Sequence, residues 1–426
     1  MGERRGAMAG VAGASVASAA VTWFGLLLAA RLLGPSGYGE FMAVWSVLFA
    51  ATGTLAGLQQ EVTRRVATTG QRGGSIPVGG PGGASSHGSA HVWSGSVLAG
   101  LLGAALLVAA SPWWGPRVWG AGWAGLLPLL ALGFVGYAWA NGVTGSLAGR
   151  GAWSWYAATI LVEGLLRSVV VVGALLLTGS RIGWQVAILS GLLGWVVLAA
   201  ASEQVRSTRL LVLGERRRFL ADSARAVLAA GCSGVTIAGF PALLLATRQG
   251  ESAAALGVVV AVVVNARAPL LLLGSFQGPV IRWLAGGSRL RAAPVVAGVV
   301  GTGLAVLVGW IAGPGLLLLV FGGGFVTSGA FVGGVVLGVA LTAVVTLSGW
   351  WALVRGRHSV HVAGWAAVAV ATVVCLLLPL PLGPRALAAL LVPPLVGAAI
   401  HLLGARPAAV GSRRRRAQLP AGGGRG

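Results

Sequence analysis

Apolar runs of about twenty residues, each bounded by glycine, proline, tryptophan or arginine, follow one another along nearly the whole chain. A helix of that length crosses the hydrocarbon of a bilayer, and a chain inside lipid must satisfy its backbone polar groups internally. Together these constraints predict an all-α polytopic membrane protein. The runs fall at about 9–33, 38–58, 91–110, a fourth ending near 147, 153–177 and 184–202. Six more follow at about 226–246, 253–276, 294–320, 328–353, 360–380 and 385–404. The expectation is therefore about 12 transmembrane helices in two six-helix lobes, residues 1–202 and 226–404. A basic cytoplasmic linker at 203–225 joins them, and a basic, Gly-rich tail at 405–426 is expected to be disordered. Only 9% of the 426 residues are charged, too few to wet the surface of a soluble protein of this size.

The segment Leu26 to Arg65 repeats without a gap 217 positions later, as Leu243 to Arg282. Arg31 falls on Arg248, Gly57 on Gly274, Gln60 on Gln277 and Arg65 on Arg282. Matching Leu and Ala means little in so apolar a chain, but two arginines, a glutamine and a glycine in one register point to an internal duplication. Six is an even number of spans, so both lobes would enter the membrane the same way. They would then be related by a pseudo-twofold along the membrane normal, with a path between them near the midplane.

The net charge of +22 is carried wholly by arginine, since the chain contains no lysine. The arginines sit in short clusters between apolar runs rather than on a folded basic domain, which argues for membrane topology and against nucleic acid. With the N-terminus placed in the cytoplasm, 23 of the 30 arginines fall on inner segments and five (Arg31, Arg117, Arg181, Arg248 and Arg385) on outer ones. That bias predicts cytoplasmic N- and C-termini. Two arginines, Arg167 and Arg267, remain inside predicted helices. Cys232 and Cys375 lie in apolar runs without metal or redox spacing. His87, His91, His358, His361 and His401 lie in loops or at helix ends with no shared face, and no metal is assigned to them. Glycine runs occur without the lysine and strand–helix setting of a phosphate loop, so an ATPase is excluded and no cofactor is expected.

Ala30 to Phe41, ARLLGPSGYGEF, resembles the turn between helices 1 and 2 of the polysaccharide-type flippases in the multidrug/oligosaccharidyl-lipid/polysaccharide (MOP) superfamily. Asn141 to Val172 is similar to their helix 4–5 hairpin, in which a Gly-rich bend precedes a helix bearing an acid and an arginine. The likeness covers about the first 200 residues well and fades beyond helix 9. Many relatives carry an acid in helix 7, where Phe240, Pro241 and Ala242 stand here. The resemblance implies two six-helix lobes around a cavity that opens alternately inward and outward, with a lipid-linked saccharide as cargo.

Glu163 and Arg167 are one turn apart on helix 5, and Tyr156 shares their face seven residues earlier. A charge at a helix centre costs about 2.5–3.5 kcal/mol on insertion scales, so such residues face a cavity or one another. Two readings stay open. One is a self-neutralising pair that fixes helix 5; the other is a cavity-facing pair in which Arg167 holds a diphosphate and Glu163 responds to protonation. Arg267 interrupts a Val-rich run just before Pro269 and just after Asn265, whose carbonyl the proline leaves without its helical partner. Its planar fork suits phosphate oxygens, while snorkelling or pairing with Glu163 is the alternative. Arg31 and Arg248 would anchor or gate the outer end. Arg64, Arg65 and Arg282 would attract an anionic headgroup at the cytoplasmic mouth or simply obey the positive-inside rule.

The functional expectation is a flippase of the bacterial inner membrane that moves an undecaprenyl-diphosphate-linked saccharide by alternating access. Arg167, Arg267, Arg31, Arg65 and Tyr156 would bind substrate, and Glu163 would form the coupling pair. Membrane lipids, and glycosyltransferases or a polymerase, are the partners this implies. A cation-coupled multidrug antiporter is the alternative, though few acids are available for it, and a non-transporting scaffold for polysaccharide synthesis is another.

Overall fold

The computed structural model describes residues 2–71, 89–120, 122–177, 183, 186–275 and 292–404. The chain begins with α1, Gly2–Gln71, which breaks at Gly34. There φ is 64° and ψ −179°, a backbone that an L side chain rarely adopts, and Pro35 follows. The two arms of α1 run in opposite directions, as their contacts with α4 (Trp153–Leu177) show. Ser18, Thr22 and Gly25 meet Gly164, Ser168 and Val172 in ascending order, whereas Trp45 and Phe49 meet Arg167 and Gln59 meets Tyr156. A straight helix of 70 residues would measure about 105 Å, over three times the hydrocarbon thickness. The hairpin turn is where the sequence places it, but the second arm runs past the expected end at 58, held by Glu61 to Arg64 and Arg65.

Strand β1 (Ser89–His91) precedes α2 (Val92–Trp119), and α3 (Leu127–Gly149) precedes α4. α2 runs past the expected end at 110, through Pro112 and Pro116 to Trp119, and takes in Trp113 and Trp114. Next come α5 (Gly191–Ala201) and, in the expected linker, strand β2 (Val212–Glu215). The strands pair antiparallel, Ser89 with Glu215 and His91 with Val212, a short two-stranded ribbon beside the helices. Short polar segments leaving the apolar region satisfy their backbone by pairing rather than by helix.

The second half holds α6 (Arg216–Ile237), α7 (Phe240–Ala246), α8 (Ala253–Ala266), α9 (Ala268–Ser275) and α10 (Ala292–Phe321). It closes with α11 (Gly329–Val354), α12 (His358–Leu377) and α13 (Leu382–Gly404). α6 starts inside the expected linker because Arg, Leu and Ala are good helix formers and need no lipid to wind. It then bends by 69° into α7, where one unbroken span was expected. A second bend, of 102°, separates Ile188–Ala201 from Glu203–Leu210. The run at 253–276 is divided at Arg267, next to Pro269.

Among the described residues nine helices are long and apolar enough to cross a membrane, and up to eleven if each bent pair is one span. Leu106, Leu177, Ile311 and Leu319 point outward with 73%, 87%, 74% and 71% of their surface exposed, as lipid-facing side chains do. The chain is a multi-pass membrane protein. The loop at 72–88, Arg181, Gln277, Arg282, Arg289, Arg291 and the tail at 405–426 lie outside the described residues.

The seam between the halves is built on α1. Its second arm runs antiparallel to α6, with Ala50 beside Gly239, Gly53 beside Gly234 and Gly57 on the backbone of Ala226. At the other end Gly257 of α8 lies under the Pro35 carbonyl. Small residues let the backbones approach closely, which is how helices associate where lipid offers no hydrophobic drive.

Candidate functional site

Arg167 is buried between α4, α3 and the second arm of α1. Its Nη1 donates to Glu163 Oε1 at 2.9 Å and to Tyr137 Oη at 3.1 Å. The guanidinium lies over the rings of Phe49 and Trp45, at 4.8 and 5.8 Å from their centroids. Trp195 Nε1 of α5 donates to the other oxygen of Glu163 at 3.1 Å. Four elements thus meet on one neutralised pair. Tyr156 lies further along α4, accepting from Gln59 Nε2 at 3.4 Å and packed edge-on to Trp153, and it does not join this cluster.

Arg267 is also buried, in a different place. Its Nη1 donates to the carbonyls of Thr236 at 3.2 Å and Ile237 at 2.6 Å, the last turn of α6 before the bend. A cation there satisfies carbonyls that have no helical partner and opposes the negative end of the helix dipole. The guanidinium stacks 4.9 Å from the Phe240 centroid, and among the described residues no carboxylate lies within ion-pair distance. Two residues earlier, Asn265 Oδ1 accepts from Trp23 Nε1 at 2.7 Å, which ties α8 to the first arm of α1. Glu163 and Arg267 do not pair, and Arg167 and Arg267 do not share a site.

The ends of the seam are polar and aromatic. Arg31 donates to the carbonyls of Leu319 and Val320 at the end of α10, and Tyr38 packs edge-on against Phe321 and Phe325 at 6.3 and 6.0 Å. Arg31 and its counterpart in the repeat, Arg248, are both exposed. At the opposite end Arg65 joins Glu61, Asp222 and the Leu213 carbonyl and lies 5.5 Å from the Phe219 centroid. The cleft among α1, α2, α3 and the turn before α5 is lined by Val44, Leu48, Trp119, Leu130, Ile188 and Leu189. It carries no charged lining residue and is no place for an anion.

Sequence reasoning missed Tyr137 and Asp222 as partners of the arginines and Trp195 as a partner of Glu163. Tyrosine is rare here, three in 426 residues, and a phenol inside an apolar run was the available signal. The histidines need a correction: His361 and His401 do share a face, stacked with centroids 5.7 Å apart, because α12 and α13 pack side by side.

Between α7 and α8, Glu251 pairs with the fully buried Arg385 of α13. Burial raises its carboxyl pKa, but the Gln249 amide at 2.6 Å, its own amide and Arg385 outweigh that and hold it below the usual range. A depressed pKa contributes stability that is present above the unfolded value, about 4.3, and lost as pH falls through the folded one. Thermal unfolding in detergent should therefore be flat from neutrality to about pH 5 and fall below about pH 4, and Glu251→Gln should flatten that acid limb. An unchanged acid limb in the variant would remove Glu251 from the account.

No family model matches the chain. The protein Rv3630 of Mycobacterium tuberculosis, described only as uncharacterized, is 31% identical over 93% of this chain and 91% of its own length. Among solved structures, a multidrug resistance MATE family transporter of the MOP superfamily in its outward-facing conformation superposes with a TM-score of 0.59. It is 15% identical and covers 95% of each chain. The lipid II flippase MurJ in its inward closed conformation gives 0.65 at 12% identity, over 92% of this chain and 87% of its own.

Proposed function

The chain belongs to the family of the mycobacterial protein Rv3630 and has the fold of MOP-superfamily transporters, and we propose on that footing that it is a flippase for a lipid-diphosphate-linked saccharide. A reading with twelve spans in two sets of six is supported by the nine to eleven apolar spans among the described residues together with the two antiparallel arms of α1. The two sets rock about the α1 seam, as lobes related along the membrane normal would. The membrane is the bacterial inner membrane, with both termini cytoplasmic.

The observation that carries the cargo assignment is the charge of the interior. Glu163 is already matched by Arg167, whereas among the described residues Arg267 is bonded only to carbonyls and its Nε has no partner. A buried guanidinium without a carboxylate favours an anionic ligand over a cationic drug. When α6 and α7 move, Arg267 can exchange two carbonyls for phosphate oxygens, which accept stronger, charge-assisted bonds. Arg167 and Tyr156 line the first lobe's side of the path, and Arg65 and Arg31 receive and release the headgroup at its two ends. Glycosyltransferases or a polymerase would supply or consume the cargo.

The test is reconstitution with a fluorescent undecaprenyl-diphosphate saccharide, following the fraction that a membrane-impermeant quencher reaches. The chain should raise the exchange rate over protein-free vesicles, and Arg267→Gln should lower it at least about tenfold, the loss of one charge-assisted contact of about 1.5–3 kcal/mol. No exchange of this lipid by a chain that does export a cationic dye would replace the flippase reading with the antiporter one.

A further inference from the structure

His401, fully buried in α13, has both ring nitrogens engaged. Nδ1 lies 3.1 Å from Ser348 Oγ of α11, and Nε2 lies 3.2 Å from the His361 carbonyl of α12. A carbonyl only accepts, so Nε2 carries a proton in every state. The Ser348 hydroxyl also reaches the Val345 carbonyl at 3.0 Å. With His401 neutral, the hydroxyl donates to Nδ1. With His401 protonated, Nδ1 donates to the hydroxyl, which turns to donate to Val345. Rotation of one serine hydroxyl therefore satisfies both charge states without leaving a buried donor or acceptor bare.

The space for these rings is built into the helices. A Cβ at Gly364 would overlap the His401 ring, and one at Gly349 would stand 2.9 Å from His361 Nδ1. His358 is exposed one turn before the half-buried His361, whose ring stacks on His401 within 14° of parallel. Surrounding charges are few. α11 carries no ionisable side chain, and Arg355 just after it stacks on Trp351. On α12 there are His358 and, toward the far end, Cys375; on α13, Arg385 sits at the far end, paired with Glu251. The packed α6 offers Cys232, and Asp222 and Arg225 pair nearer its start. Next to the histidines, Val345, Trp365, Val368 and Ala398 form a cluster that packs on Cys232 and Ile237 of α6, and the Ile237 carbonyl is one of those held by Arg267.

We propose that His401, with Ser348 and His361, is a proton-binding site whose occupancy is transmitted through this cluster to the α6–α7 bend and so couples cargo movement to a proton gradient. The coupling role rests on the transporter reading; the site itself does not. Imidazole suits it because its charge changes near physiological pH. With five histidines in the chain, selective 15N-histidine labelling of the whole protein in nanodiscs resolves each imidazole. His401 should gain a proton within the titration, and Ser348→Ala, which removes the acceptor for Nδ1–H, should shift that step to lower pH. A His401 that stays neutral throughout, or is unmoved by Ser348→Ala, overturns the site. In vesicles loaded with the fluorescent lipid, one pH unit should change the ratio of moved to unmoved lipid by up to about tenfold per proton. His401→Gln should abolish that response, and His358→Gln should keep it. If the wild type moves lipid equally with and without the gradient, or the His401 variant still responds, the coupling is wrong while the flippase stands. If the wild type moves no lipid but His401 titrates, the flippase reading and the coupling role both fall.

Discussion

Glu163→Gln is expected to destabilise the protein more than the double replacement Glu163→Gln with Arg167→Gln. The single change leaves the Arg167 guanidinium buried under Phe49 and Trp45 with the Tyr137 hydroxyl as its remaining donor–acceptor partner of those observed. Breaking a buried pair from one side costs about 3–5 kcal/mol, because the surviving charge has lost its compensation. Glu163 retains 20% of its side-chain exposure, which places the effect toward the lower end of that range. Removing both charges puts two neutral amides in hydrogen-bonding reach of each other, of Tyr137 and of Trp195, and restores most of the loss. Thermal unfolding followed by size-exclusion recovery separates the two variants. Equal midpoints for wild type and Glu163→Gln, or a double variant worse than the single, would show that the pair does not hold α3, α4 and α5 together.

Two glycine replacements should push the protein in opposite directions. A Cβ at Gly257 overlaps the Pro35 carbonyl, and a Cβ at Gly57 overlaps the backbone of Ala226. Neither obstacle is a side chain that can swing aside, so Gly257→Ala should open the seam at the Arg31 end and Gly57→Ala at the Arg65 end. Overpacking of this kind costs typically about 1–3 kcal/mol, which corresponds to roughly 5- to 150-fold in the population of the closed end. Reactivity of cysteines introduced at the exposed positions Leu32 and Arg64 should rise at the forced end and fall at the other. A matching rise at both ends would mean that the seam is a static packing surface.

Much of this fold was legible because the bilayer is a strict solvent. The run at 153–177 becomes a helix with those bounds, and the turn at Gly34–Pro35 falls where the sequence puts it, since only apolar length and helix-breaking residues are needed to see them. The Glu163–Arg167 pair was visible from spacing alone. What stayed hidden depends on partners distant in sequence. Arg31 and Arg267 both end on helix-terminal carbonyls, and a carbonyl leaves no mark in a sequence. The bend between α6 and α7 falls at Gly239 and Pro241, helix-breaking residues that a reading for apolar length alone passes over, and β1 with β2 joins segments more than a hundred residues apart. His361 and His401 each looked isolated because helical periodicity describes one helix and says nothing of its neighbour.

The central claim is that the halves move against each other about α1, and distances across the seam test it most directly. Spin labels at Leu32 and Val326 report the Arg31 end, and labels at Arg64 and Arg225 report the other, with Cys232 and Cys375 replaced by serine. In nanodiscs each pair should show two distances, and adding the lipid-linked saccharide should lengthen one end while shortening the other. A single unchanging distance at both ends, with and without the lipid, would contradict the account.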